Sequence, residues 1–158
     1  MSPNQLGRKA LETTGIGVCV GNGNVVLAGH LIRTLRTVLN STLPIEIAFH
    51  GEQDLTQEAH DTVMALAENM SLLGLSKIFQ HPSVGLYQSW ALKPFDLLAS
   101  RFQRVILVDA DVIFMPKPDN LFETEPGLME TGTLFWHDRA IDCLMGSLRD
   151  WLKPILGD

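Results

Sequence analysis

Four short apolar runs limit what this chain can fold into more than any other feature. They are Ile16–Val20, Ile45–Phe49, Leu75–Phe79 and Val105–Val108. Each is too short for an ordinary helix and suits a strand. They lack strict alternation, which fits a sheet covered on both faces. Between them lie stretches with helical periodicity. Leu27, Leu31, Leu35 and Val38 fall on one face, with Arg33, Arg36 and Thr37 outward. A second helix is predicted over 56–70, with the stripe Leu55, Ala59, Val63, Leu66 and Met70 and a cap at Asp54 or Thr56. A third covers about 89–100, and Pro94 requires it to start late or bend. The order β-α-β-α-β-α-β predicts a mostly parallel sheet with helices on both faces. After Met115 the pattern weakens. Pro116, Pro118, Pro126 and Gly127 predict loops, Thr133–Trp136 a last strand, and about 143–155 an amphipathic end.

Composition narrows the class. The 158 residues are 46% apolar and 19% charged, enough for one domain with a buried core and too apolar for disorder. Net charge −6 without a basic cluster argues against nucleic-acid binding. No run approaches the length of a membrane helix, and polar Met1–Glu12 does not read as a signal peptide. Cys19 and Cys143 make neither a disulfide framework nor a zinc site, and Cys19 within the first strand reads as a buried thiol.

Asp109 and Asp111 are the most informative polar residues. They leave the most apolar strand, and positions i and i+2 of an extended chain share a face. Two carboxylates at a strand's carboxyl end converge where open α/β sheets bind ligands. A hard divalent cation such as Mg²⁺ or Mn²⁺ would offset their repulsion. A merely solvated acidic turn is the plainer alternative. A phosphatase of the haloacid dehalogenase type also uses such a pair, but near the chain start and with more chain after it. Gly21-Asn22-Gly23-Asn24 reads as a turn whose residues tolerate positive φ.

The segment Val105–Phe122, with its Asp109-Ala110-Asp111, resembles the DxD region of GT-A glycosyltransferases. With His30–Arg36, Leu39–Ile47, Trp90–Phe95 and Thr131–Arg139, the chain is similar to the fungal alpha-1,3-mannosyltransferases of glycosyltransferase family 71. The resemblance implies a Rossmann-like GT-A domain over residues 15–139. Residues 1–14 read as a polar extension and 140–158 as a C-terminal amphipathic segment. It implies transfer of mannose from GDP-mannose to a mannosylated glycan acceptor, with retention, in a Golgi membrane protein. Asp111 would hold the metal, Mn²⁺ being the first choice. Asp109 would serve both metal and ribose, Gly21 and Asn22 would form the nucleotide turn, and Lys93 would lie near the donor. The membrane anchor, the acceptor half and a downstream third metal ligand have no counterpart in the sequence. The expectation is therefore a truncated donor-binding portion of low transfer activity, or an inactive remnant that binds nucleotide-sugar only.

Other residues admit two readings. Lys93 could be a solvated helix residue, and Asn22 could contact a base or ribose. His137 and Asp138, beside Phe135 and Trp136, could line a sugar pocket or belong to a packed core. His30 and His60 read as structural or surface groups, while His50 and His81 end strands. Asn40-Ser41-Thr42 and Asn69-Met70-Ser71 match the N-glycosylation pattern. Leu144, Leu148, Trp151, Leu152 and Ile155 form a stripe that needs a partner.

Overall fold

The computed structural model describes residues 13–80 and 92–135. Residues up to Asn120 form one compact unit and those from Leu121 a second. The first unit holds strands β1 (Thr14–Cys19), β2 (Ile45–Phe49), β3 (Met70–Gly74) and β4 (Arg104–Val108). It also holds helices α1 (Val25–Arg33), α2 (Gln57–Met64), α3 (Leu75–Ile78) and α4 (Lys93–Ala99). The sheet is parallel throughout in the order β3-β2-β1-β4. The fold is therefore of the α/β, Rossmann-like kind. In the second unit, α5 (Leu121–Thr124) and α6 (Pro126–Thr131) are short, and Gly132 closes α6 at φ 73°. Among the described residues no helix is long and apolar enough to cross a membrane.

The two faces of the sheet differ. Ile16, Val18, Ile45, Ile47, Ile106 and Val108 are buried on one side, at alternate positions that the parallel register aligns. The buried apolar side chains of α1 are Ala28, Leu31 and Ile32. The opposite face carries Gly15, Gly17 and Cys19, with Glu46 and Ala48 beside them in register. Cys19, Ala48, Leu75 and Leu92 form an apolar cluster there, joined by Leu73, Phe79, Phe95 and Ala99. Phe79 and Phe95 meet edge to face, centroids 5.2 Å apart.

Several sequence expectations need correction. Leu75–Phe79 is not the third strand: Leu75–Ile78 is a helical turn, and β3 is Met70–Gly74. Its residues are all half-buried, as on a sheet edge, so they give a weak apolar signal. The first helix changes pitch. Thr34–Val38 is π-helical, and Leu39 N–H donates to Thr34 O. The wider turn rotates the side chains beyond it, so Leu35 is buried while Val38 is 68% exposed. Leu27, expected inside, is 45% exposed, and the buried stripe is Ala28, Leu31, Ile32 and Leu35. After β4, Ile113 and Met115 lie exposed. Thr133–Phe135 has no regular structure, and Trp136 lies outside the described residues, as do His81, His137, Asp138 and the segment from Cys143.

The late helix start at Pro94 holds: Lys93 opens α4 and Pro94 occupies its first turn. Thr56 caps α2, its hydroxyl accepting from Ala59 N–H at 3.4 Å. Asn40 and Asn69 are exposed and left-handed at φ 51° and 57°, a conformation Asn tolerates better than most residues. They precede β2 and β3, at the amino end of the sheet. The Asn69 amide donates to Thr42 O at 3.2 Å.

Candidate functional site

The strand order 3-2-1-4 creates a switch point. From β1 the chain proceeds outward to β2 and β3, then returns to place β4 on the other side of β1. The carboxyl ends of β1 and β4 meet there, and the crevice outside the strand ends at such a point is where open α/β sheets bind ligands. Val18 lies opposite Val108. One residue further, Cys19 and Asp109 therefore leave the ladder side by side. The Gly21–Asn24 turn and the Asp109–Asp111 turn are neighbours at this edge.

Lys93 reaches Asp109 from α4. Its Nζ lies 2.6 Å from Oδ1 and 2.7 Å from Oδ2 of that carboxylate. The pair is partly solvated, so its worth to stability is at most about 1 kcal/mol; what it does is aim a cation and a carboxylate at one point. Asp111 lies in the turn after β4, where Val112 N–H donates to Asp109 O at 3.2 Å. Its side chain is exposed, with no hydrogen bond or ion pair among the described residues.

The β1–α1 turn is held by side chains. Asn24 Oδ1 accepts from Gly21 N–H at 2.7 Å, and Asn24 Nδ2 donates to Cys19 O. Asn22 reaches across to the loop after β2. Its Oδ1 accepts from Thr56 N–H at 3.0 Å and from the Thr56 hydroxyl, and its Nδ2 donates to Gln53 O. Asn22 N–H donates to Asp54 O at 2.7 Å. The Asn22 side chain thus joins two loops bordering the crevice. The expected turn is present, and neither Gly21 nor Gly23 uses positive φ in it. Gly21 is needed for close approach: a Cβ there would sit 2.6 Å from Asp54 Oδ1. Asp54 is in turn fixed by His50 N–H, which donates to its Oδ2.

The donor chemistry suits a hard cation. Asp109 already binds an ammonium through both oxygens, and Asp111 adds a second carboxylate two residues on. Among the described residues no group of three metal-ligating side chains assembles. Two carboxylates would leave the remaining positions of a Mg²⁺-like or Mn²⁺-like ion to water and to substrate phosphate.

Sequence reasoning missed two buried acids, Asp96 on α4 and Glu46 on β2, 0% and 3% exposed. Each interrupts an apolar run, Phe95-Asp96-Leu97-Leu98 and Ile45-Glu46-Ile47, and that interruption was the available signal. Arg101 Nε approaches Glu46 at 3.8 Å. Cys19 Sγ donates to Asp96 Oδ2 at 3.8 Å. Burial, then the negative charge of Asp96, pushes the Cys19 thiol far up, so it stays protonated and inert.

Topology and edge chemistry together define a Rossmann-like α/β domain with an acidic switch point. The particular family comes from comparison: residues 13–143 match the family described as "Mannosyltransferase putative", and the chain belongs to it. It is 27% identical over 161 aligned positions, 99% of its length, to "Alpha-1,2-mannosyltransferase MNN22" of Candida albicans. It is 27% identical over 79% of its length to "Alpha-1,2-mannosyltransferase MNN2" of Saccharomyces cerevisiae. It is 24% identical over 82% of its length to "Putative alpha-1,3-mannosyltransferase MNN14" of Candida albicans. The chain spans 27%, 21% and 20% of these three relatives. Alpha-1,3 specificity, expected from the resemblance, is therefore carried by one of the three names and alpha-1,2 by two. No solved structure matches the chain.

Proposed function

We propose that this chain is the donor-binding portion of a mannosyltransferase that takes GDP-mannose and transfers mannose to a mannosylated glycan in the Golgi. The observation carrying this reading is the placement of Asp109 and Asp111, with Lys93 on Asp109, at the switch point of the parallel sheet. Asp109 and Asp111 hold a divalent cation, with Mn²⁺ the first choice. When bound, such an ion neutralises diphosphate charge as the nucleoside diphosphate departs.

The remaining work falls to the chain's own groups. Lys93 supplies a fixed positive charge at the same edge, favouring the state in which phosphate charge is greatest. Asn22, Asp54 and Thr56 hold the two loops flanking the crevice, so the donor meets a preformed wall. Family membership supports the sugar. The alpha linkage in the relatives' names, formed from an alpha-linked donor, supports retention. The linkage made by this chain is alpha-1,2 or alpha-1,3, as in those names.

Isothermal titration with GDP-mannose in Mn²⁺ tests the reading. Saturable binding is expected, competed by GDP and weakened at least tenfold for GMP, which lacks the second phosphate. Equal affinity for GMP, or binding indifferent to EDTA, would remove the diphosphate–cation account.

A further inference from the structure

Asp96 is a charged residue type at a fully buried position that the proposed chemistry does not use. It sits on α4 three residues after Lys93, so both reach the same side of the helix. Beneath it, Gly17 leaves the room: a Cβ there would meet Asp96 Oδ2 at 3.0 Å, with Val105 Cγ1 and Leu107 Cδ1 at 3.3 and 3.4 Å. Its Oδ2 accepts from Cys19 Sγ, while Oδ1 is buried without a hydrogen-bond partner.

We propose that Asp96 is a positioning residue: its carboxyl, seated in the notch over Gly17 and beside Cys19, fixes α4 on the sheet and so sets where Lys93 meets Asp109. This rests on the reading of Lys93 and Asp109 as the donor edge.

Asp96 does this as the neutral acid. Among the described residues, the groups facing it are few. β1 offers Gly17 and the thiol of Cys19, and β2 offers buried Glu46. On β4, Val105 and Leu107 carry no charge. Lys93 of α4 is engaged by Asp109, and Arg101, just past α4, lies against Glu46. Among the described residues no cation is left for a second carboxylate. Burial first, and the Glu46 charge second, push the Asp96 carboxyl up from 3.8 to about 7, with the Cys19 bond acting weakly the other way.

Between pH 3.8 and about 7 the folded chain keeps a proton that the unfolded chain has released. The contribution of Asp96 to stability therefore falls as pH rises through that window, and above about 7 the ionised form repels Glu46. Ionisation loosens α4, uncovers Cys19 and withdraws Lys93.

The test compares wild type and Asp96→Asn, both in a Cys143→Ser background so that Cys19 is the thiol read. Asn keeps the shape and does not titrate. The ratio of Cys19 alkylation rates, wild type over variant, should be near one at pH 6 and rise to about tenfold at pH 8, following the ionised fraction of a group titrating near 7. Removing the Asp96 charge by itself makes Cys19 more reactive in the variant, so it cannot produce this excess. Wild-type affinity for Mn²⁺–GDP should fall about tenfold over the same interval relative to the variant. A ratio that does not change with pH in either measurement overturns the proposal. If neither protein binds Mn²⁺–GDP, the reading of the donor edge fails; alkylation still decides whether Asp96 holds α4 as a neutral acid. Should the Asn variant fold poorly, Glu46→Gln replaces it: removing the facing charge lets Asp96 ionise more readily and should move the alkylation rise to lower pH than in the wild type, and an unmoved rise overturns the proposal.

Discussion

Two glycines on β1 set how closely helix and loop approach the sheet. A Cβ on Gly15 would land in the ring of Phe102, which is 2% exposed and has Arg101 stacked on it at 5.0 Å. The ring has nowhere to retreat. Gly17 faces the Asp96 carboxyl at 3.0 Å, and a few tenths of an ångström of give would relieve the contact. Gly15→Ala should therefore cost about 3 kcal/mol and Gly17→Ala about 1–2 kcal/mol, read by urea denaturation. Equal losses would mean that the Phe102 ring is free to move. Neither glycine looks special in the sequence, since the need for hydrogen at these positions comes from residues 79 or more places away. A separation of 50 residues likewise hid Asp96 and Glu46 as a pair. Asp109 and Asp111, by contrast, were legible, because the apolar run before them and their own spacing fix where they emerge.

Among the elements, α1 and its π-helical continuation show where periodicity stops being a guide. A period of 3.6 residues puts Val38 inside with Leu31 and Leu35. One wider turn places Leu35 at 0% and Val38 at 68% exposure. Arg36 then donates to Ser41 O at 2.9 Å and Leu43 O at 2.8 Å, filling the exit from the helix. Leu35→Ala should cost about 2–4 kcal/mol through the cavity it leaves. Val38→Ala should change stability by less than about 0.5 kcal/mol. Thermal unfolding distinguishes this from a regular helix, for which both substitutions would be costly. β2 was readable because burial on both faces leaves an almost unbroken apolar run, and β4 because Val105–Val108 is unbroken although one of its faces is only half-buried. β3 was misplaced because its five residues are all only half-buried and form no such run, while Leu75, Ile78 and Phe79 supply an apolar cluster that folds as a helical turn.

For the molecule as a whole, the strand order does what no local sequence shows. It brings the turn after β1 and the turn after β4, some ninety residues apart, to one edge. The sequence implied a parallel sheet and a carboxylate pair at a strand end; it did not reveal that β4 lies against β1 rather than beyond β3. That adjacency puts Lys93, Asp109 and Asp111 beside the loop joined by Asn22 and Thr56. The central claim is that this edge binds a divalent cation together with a nucleoside diphosphate. The most direct measurement is the melting temperature with and without Mn²⁺ and GDP, for wild type and Asp111→Ala. Asp111 is exposed and makes no hydrogen bond among the described residues, so its removal should leave the unliganded melting temperature within about a degree. With both ligands at one hundred times the dissociation constant, the wild type should gain about 2.7 kcal/mol, several degrees in melting temperature. Asp111→Ala should lose most of that gain while still unfolding cooperatively. The same ligand-induced shift in both proteins would contradict the assignment of this edge as the cation and donor site.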